Sequence, residues 1–531
     1  KSLVWQDQAQ PNKSGRAGHF SAASSRRGTG RHGRGRIALL RMRANQGQRR
    51  VVIKARIVRH KGAHFTAAPL ARHAAYLKRD GVTNDGKEAS LFNAGSEEVD
   101  GDIFAGRCAD DRHHFRFIVS PEDAVDMSDV RAFTRELMSD MATDLGTKLD
   151  WVAVDHWNTD NPHIHILLRG KADDGRDLVI DKDYIREGMR SRAEERVTLE
   201  LGPRPEREID RALAREVDAD RWTSLDRRMQ RQADDFGGVV DLRVAPGTQQ
   251  SRTTNHMVAR ATKLERLGLA TRITGCWMLK PGLEPTLRQL GARGDIIKTM
   301  HRAMGACGLR PDTGRFALHD DLAADPVIGR LVARGLHDEL TGSAYAVIDA
   351  TDGRTHYLRF DDIDQTSDAK SGAIVELGQW RDNRGNERQS LSVRSDLSLA
   401  EQINAPGATW LDRQLVAREP VETAGGFGAD VRDALAARSE HLASEGLARR
   451  QGQRFIFAKE LLDELRSREL AEATRHIATR SGLEHTPARP GEHIAGICRE
   501  RVTLSSGRFA MIDDGMGFHL VPWRPSLERR M

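Results

Sequence analysis

At 531 residues, with 38% hydrophobic and 30% charged side chains, the chain is too long for one ordinary domain and has apolar residues enough for several packed cores. No apolar run approaches about 18 residues and the N-terminus has no signal-peptide pattern, so no membrane insertion is expected. The net charge of +6 is modest but unevenly placed, which points to a polyanionic partner at one end.

Residues 1–61 hold sixteen Lys or Arg against one acid, Asp7. The stretch from Arg26 to Arg50 is rich in Gly and Ser and too poor in apolar residues to bury a core. Residues 1–49 therefore read as a disordered basic arm, suited to DNA because neutralised phosphates release counterions. A solvated tail or a localisation signal is the alternative. Cys108, Cys276, Cys307 and Cys498 lie far apart, with no Cys-x-x-Cys spacing, and read as free thiols of a reducing compartment.

From Val51 to His60 apolar residues alternate: Val51, Ile53, Ala55 and Ile57 share one face of a half-buried strand. Pro69 to Asp80 predicts a helix with Pro in its first turn, Gly81 after its end, and Leu70, Ala74 and Leu77 as its buried stripe. His114 to Val119 predicts a second strand. Ser120-Pro121 signals a helix start with Ser120 as cap. Ser128 is expected to cap a longer helix through Leu145, with Val130, Phe133, Leu137 and Met141 buried and Gly146 ending it.

Leu149 to His156 and His163 to Leu168 both read as strands, and residues 158–162 are turn chemistry throughout. The two can form a hairpin. His163 and His165 then share one strand face, with Ile164, Ile166 and Leu168 opposite, and His156 lies close by. Three imidazoles on one face suit a metal ion with open positions for substrate. Solvated histidines at a loop mouth are the alternative.

Asp183 to Leu201 predicts the helix that closes a domain of residues 50–201. Its order suggests an α+β fold, a central, mostly antiparallel sheet with flanking helices. Residues 202–255 read as a charged linker with one helix. Residues 256–400 and 401–531 read as mixed and β-rich modules. Lys263 to Leu279 and Ser439 to Phe457 share a pattern of helix end, Gly-Leu and strand, followed by helices at 283–290 and 459–469. This is winged-helix-like, and Arg330 to Ile348 repeats its first half. Residues 350–400 and 497–525 read as short strands.

The segment HWNTDNPHIHILLRG, residues 156–170, resembles the third motif of conjugative relaxases of the VirD2-like, P-type mobilisation class, which belong to the HUH (His-hydrophobic-His) endonucleases. Residues 73–81, HAAYLKRDG, resemble the first motif, which puts the nucleophilic tyrosine at Tyr76. Residues 115–123, FRFIVSPED, resemble the second, whose serine is Ser120. The three occur in the expected order. The remainder is similar in general character to the long uncharacterised region of one subgroup, and residues 509–525 resemble that subgroup's end.

The resemblance implies a site- and strand-specific nickase that forms a 5′-phosphotyrosine with Tyr76 and starts conjugative transfer or mobilisation. It implies His156, His163 and His165 as ligands of a divalent cation, Mg²⁺ or Mn²⁺, with Ser120, Asn158, Asp155, Lys78 and Arg79 supporting the ligands or contacting DNA. The implied partners are single-stranded or supercoiled origin-of-transfer DNA, accessory DNA-binding proteins and a type IV secretion coupling protein. The implied location is the bacterial cytoplasm, with export beside the transferred strand as an option. One departure is Asn158, where many relaxases of this class carry an acid; Asp155 or Asp160 is the alternative source of charge. Other readings are a rolling-circle replication initiator, a histidine-triad hydrolase, which lacks its third alternating histidine because position 167 is Leu, and a winged-helix DNA-binding regulator.

Overall fold

The computed structural model describes residues 34–35, 47–60, 68–78, 89–157, 161–243, 251–319, 322–323, 325–382, 385–489 and 493–523. It has the expected α+β class, with helices beside mostly antiparallel sheets. The chain divides into two units, Lys1–Ala292 and Arg293–Met531. The four cysteines are free. No helix of the described residues is long and apolar enough to cross a membrane.

The first unit opens with strand β1 (Val51–Arg59), helices α1 (Ala68–Leu77) and α2 (Gly101–Arg107), strand β2 (His113–Pro121), helix α3 (Val130–Leu145), strands β3 (Trp151–His156) and β4 (His163–Arg169) and helix α4 (Met189–Leu201). The sheet order is β1-β2-β4-β3, antiparallel throughout. Alternation gives the sheet two apolar faces. Ile53, Phe117, Ala153 and Ile166 join Phe133, Leu137 and Met141 of α3 and Val197 of α4 in the larger core. Val152, Val154 and Leu167 face the other way, against Leu70, Ala74 and Leu77 of α1 and Phe104 of α2. The predicted stripes of α1 and α3 are the buried ones. Gly146, at φ +62°, ends α3 in the left-handed conformation that glycine adopts without penalty.

Three local expectations fail here. Ser120 does not cap a helix: pairing of Val52 with Ser120 carries β2 through Pro121, and only a short 3₁₀ turn, Ala124–Asp126, follows. Ser128 does not cap α3 either. Asp129 does so, accepting from the amides of Arg131 and Ala132, while the Ser128 hydroxyl donates to Glu200. The basic arm is also not wholly without structure. Arg34 pairs in backbone with Ile180 and reaches Asp174, and Arg49 sits 3.1 Å from Asp123.

Residues 202–255 are no linker. Helices α5 (Glu206–Val217) and α6 (Ser224–Asp235), strand β5 (Val239–Val240), helix α7 (Arg252–Arg266) and the hairpin β6 (Ala270–Ile273) with β7 (Cys276–Leu279) form one module. Its core runs from Leu213, Leu225 and Met229 through Met257 and Leu264 to Trp277, and Leu283 and Leu287 of helix α8 (Leu283–Ala306) close it. Polar composition had hidden these helices, whose apolar faces are narrow. At the centre lies Arg260, fully buried. It makes a two-pronged pair with Asp226 (2.8 and 2.9 Å) and donates to the carbonyls of Val217, Ala219 and Arg221.

The second unit contains strands β8 (Phe316–Leu318), β9 (Ile328–Asp338), β10 (Ser343–Ala350), β11 (Thr355–Phe360), β12 (Ile374–Arg381) and β13 (Glu387–Ser395), in the order β13-β12-β9-β10-β11-β8. Arg330 to Ile348 is thus part of a β-hairpin rather than a third helix-and-wing repeat. As the middle of this sheet, β9 and β10 bury apolar residues on both faces. A second module follows: helices α9 (Leu399–Ile403), α10 (Trp410–Val416) and α11 (Phe427–Ser444), hairpin β14 (Ala448–Gln451) with β15 (Arg454–Phe457), and helix α12 (Leu461–Ser481). The chain then forms the meander β16 (Ile497–Leu504), β17 (Gly507–Asp513) and β18 (Phe518–Pro522).

The second module repeats the first atom for atom at its centre. Buried Arg438 pairs with Asp412 (2.8 and 2.9 Å) and donates to the carbonyls of Ile403, Ala405 and Gly407. Thr223 with Asp226, and Thr409 with Asp412, are both reciprocal helix caps. Gly268 (φ +71°) and Gly446 (φ +75°) follow the two long helices, and two-residue turns close both hairpins.

Truncating one partner of such a buried pair strands the other charge, so Arg260→Ala is expected to cost about 3–5 kcal/mol. Urea unfolding reads this as a lowered midpoint, and an unchanged midpoint would remove the pair from the stability argument. The arm yields a separate expectation. Deleting residues 1–30, which leaves the Arg34 anchor in place, is expected to weaken association with a polyanion, for which a labelled oligonucleotide is the probe, regardless of sequence, and to flatten its salt dependence. Fluorescence anisotropy at two salt concentrations measures both.

Candidate functional site

Register assembles the histidines. In the β3–β4 ladder His156 stands opposite His163, and Val154 opposite His165. The three rings therefore share the sheet face that α1 covers. Their centroids are 4.5 Å (156–165), 5.0 Å (163–165) and 5.4 Å (156–163) apart. One ring nitrogen from each lies within 4.8 Å of the other two. His156 and His165 are buried, while His163 is half-exposed.

Backbone carbonyls decide the ring tautomers. His156 Nε2 lies 2.8 Å from the Leu77 carbonyl, and His163 Nδ1 lies 3.0 Å from the Asn161 carbonyl. A carbonyl only accepts, so each of these nitrogens carries a proton, and in the neutral rings His156 Nδ1 and His163 Nε2 keep their lone pairs. His163 Nε2 is 3.2 Å from His165 Nε2. This donor set, with the tautomers of His156 and His163 each held by a carbonyl, has donor atoms of the kind that bind divalent metals.

Leu77 also ties in the tyrosine. It is the last residue of α1, and Tyr76 is its neighbour, half-buried. The hydrogen bond from His156 thus fixes the helix end that carries Tyr76 at the histidine cluster. Lys78 follows the helix, half-buried. The other tyrosines are committed elsewhere. Tyr184, also helical, is buried and donates to Asp144 at 2.8 Å, with its phenol pKa pushed up by burial. Tyr357 is buried against His337 with its pKa likewise raised by burial, and Tyr345 stacks on it.

Of the remaining predicted residues, Ser120 reaches the site's edge. Its hydroxyl donates to the Pro162 carbonyl at 3.2 Å and so fastens β2 to the loop before His163. Asp155 does not support the histidines. Strand alternation puts it on the opposite sheet face, where it binds Arg131 (2.9 Å) and Trp157 Nε1 (2.7 Å). Asn158, Asp160 and Arg79 lie outside the described residues.

The sequence reading missed the rest of this face. Helices α1 and α2 cover its β3–β4 half. On the β1–β2 half, Lys54 pairs across with Ile118, Arg56 with Arg116, and Ile118 with His165. Lys54 and Arg56 are exposed. A basic strip therefore leads across the sheet to the histidines. Period-two alternation in 51–59 placed Lys54 and Arg56 on the polar face, but only the strand order brings that face beside His165.

The far end of this face holds a chain of neutral imidazoles. Arg116 Nε donates to His114 Nε2 (3.1 Å), His114 Nδ1 to His60 Nε2 (2.7 Å), and His60 Nδ1 to the Asp111 carbonyl (2.5 Å). Burial, reinforced by the Arg116 charge, pushes the His114 pKa down to about 2, and burial also lowers that of His60. A cavity of about 690 Å³ lies beside His60, between Ile57, Phe115 and residues 177–180.

Residues 257–388 and 378–531 match the model of a family described as a protein of unknown function, DUF3363. The chain belongs to this family. No curated protein and no solved structure matches it. The matched span of this DUF3363 protein covers the C-terminal half and begins after the histidine hairpin, so the family description assigns the hairpin no activity.

His114 sets a pH expectation. Its folded pKa lies below the unfolded value of about 6.5, so the unfolded chain binds the extra proton first. Its contribution is intact above about pH 6.5 and falls by about 1.4 kcal/mol per pH unit as the pH drops below that value. Urea melts from pH 5 to 7.5 should show a shallower acid-side loss in His114→Gln than in the parent protein. Parallel curves would refute the assignment.

Proposed function

We propose that this protein is a site- and strand-specific DNA relaxase of the HUH endonuclease type, which nicks one strand through Tyr76 and starts conjugative transfer or mobilisation. The observation that carries the reading is the hydrogen bond from His156 to the Leu77 carbonyl, which brings a three-histidine cluster and the helix end bearing Tyr76 together. The basic strip of Lys54, Arg56 and Arg116 supports a polyanionic substrate beside that cluster.

In the proposed reaction the Tyr76 phenolic oxygen attacks the scissile phosphorus. The tyrosyl O–P bond forms as the P–O3′ bond breaks, and the phenol's proton ends on the released 3′ oxygen. The 5′-phosphotyrosine conserves the phosphodiester, so the strand can be rejoined without a nucleotide cofactor. His156, His163 and His165 would hold a divalent cation, Mg²⁺ or Mn²⁺, whose charge would neutralise the scissile phosphate. Ser120 and the Asn161 carbonyl position the loop and ring of His163, and the Leu77 carbonyl orients His156. Lys54, Arg56 and Arg116 would hold the strand by its phosphates. Origin-of-transfer DNA, accessory DNA-binding proteins and a secretion coupling protein are the partners this reading entails. Its place is the bacterial cytoplasm.

The test is a single-stranded pool of random 40-mers, which does not presuppose a nick site. Denaturing gels should show a protein–DNA adduct, and mass spectrometry should locate it on Tyr76. Tyr76→Phe should abolish the adduct while leaving strand binding intact. A chelator should remove the activity and Mg²⁺ or Mn²⁺ restore it, and His163→Ala should lower it by roughly a hundredfold or more. An adduct on Tyr184, Tyr345 or Tyr357, or cleavage without any adduct, would overturn the assignment.

A further inference from the structure

The duplicated module contains its own comparison. One copy is centred on Arg260 and the other on Arg438, and the scaffold is the same: buried Arg–Asp pair, reciprocal cap, long helix, Gly-Leu, and a hairpin with a two-residue turn. Differences between the exposed faces of α7 and α11 therefore lie outside this shared scaffold, although on α11 Asp430 lies 3.7 Å from Arg330 and Glu440 3.2 Å from Arg450.

Helix α7 buries Met257, Arg260, Ala261 and Leu264. Its opposite face is a stripe of Arg252, Asn255, Ala259, Thr262 and Arg266, all exposed. At about 100° per residue these five fall within an arc of about 80°. No acid interrupts the stripe. The flanking basic residues are already engaged, His256 by Asp210 at 2.8 Å and Lys263 by Asp220 at 3.1 Å. The hairpin beside the helix is exposed at Thr271, Arg272 and Ile273, and Arg272 lies over the Trp277 ring.

In α11 the equivalent positions are Asp430, Asp433, Ala437, Glu440 and Ser444, counted from Arg438 as the match of Arg260. Three of the five are acids, which phosphate would repel. The stripe of α7 has the opposite character. Arginine reads guanine edges and asparagine reads adenine edges in the major groove. A small residue allows close approach, and threonine accommodates a thymine methyl. An α-helix fits the major groove of a duplex and not a single strand.

We propose that the module at residues 206–287 binds duplex DNA, with α7 in the major groove through Arg252, Asn255 and Arg266 and the β6–β7 hairpin along the adjoining backbone. The second module keeps the scaffold without this activity. This duplex site is separate from the histidine cluster, and it does not depend on Tyr76 chemistry.

The experiment is a selection by the full-length protein from a pool of random 30-base-pair duplexes, followed by binding measurements on the recovered sequence and on its single strand. One sequence element should be enriched. Arg252→Ala with Arg266→Ala should weaken binding of that duplex at least about tenfold, and Asn255→Ala should change the enriched sequence. Asp433→Ala with Glu440→Ala should leave duplex affinity as it was. Thermal unfolding confirms that the surface variants fold. Tyr76→Phe should select the same element, which separates failure here from failure of the nicking reading. Absence of any enriched element, unchanged duplex affinity in the double arginine variant, or an equal loss for the single strand would each overturn the proposal.

Discussion

The antiparallel register of β3 on β4 is the constraint on which the histidine site depends. Because cross-strand partners lie on the same side of a sheet, pairing His156 with His163 and Val154 with His165 puts all three rings on one face. Slipping the register by one residue would send the whole set of β4 side chains to the other face and bury His163 and His165 among Phe133 and Leu137. The apolar alternation Ile164, Ile166, Leu168 resists that slip, since these side chains fill the larger core. Packing on one side of the sheet thus sets the geometry of the polar side.

Helix α1 closes the other half of the arrangement. Leu70, Ala74 and Leu77 dock it on Val152, Val154 and Leu167, and its last carbonyl receives the His156 proton. A helix end leaves carbonyls without intrahelical partners, and here one of them orients a histidine. The opposite face is held by ion pairs in series: Arg192 with Asp144, and Arg196 with Asp140 and Glu136, join α4 to α3. Asp155 belongs to this side, where it anchors Arg131 and Trp157.

The two duplicated modules show a different way to hold a small fold. Each is organised around a guanidinium whose N–H groups meet a carboxylate and three backbone carbonyls. A buried charge so fully satisfied is costly to change one residue at a time, so the pair persists in both copies while their surfaces have diverged. In both copies a Thr-x-x-Asp cap supplies the carboxylate, and the arginine that meets it lies 34 residues away in one and 26 in the other.

Local chemistry determined much of this protein. Period-two alternation located β1 and β4, the stripe of α3 and its Gly146 stop were legible, and the histidine spacing marked the candidate site. What the sequence missed depended on partners remote in the chain. Ser120 stayed in a strand because Val52 pairs with it, and Asp155, which alternation puts on the face away from the histidines, meets Arg131 of α3 there. Only one helix was expected in 202–255, because the apolar residues of that segment find their core only when α7 and the hairpin arrive. The Leu77 carbonyl that orients His156 could not have been found at all, since every residue has a carbonyl and only packing decides which one faces a ring. Residue type and spacing fixed which groups were available; the tertiary structure alone decided which of them meet, because hydrogen bonds and packing act over distance in space rather than along the chain.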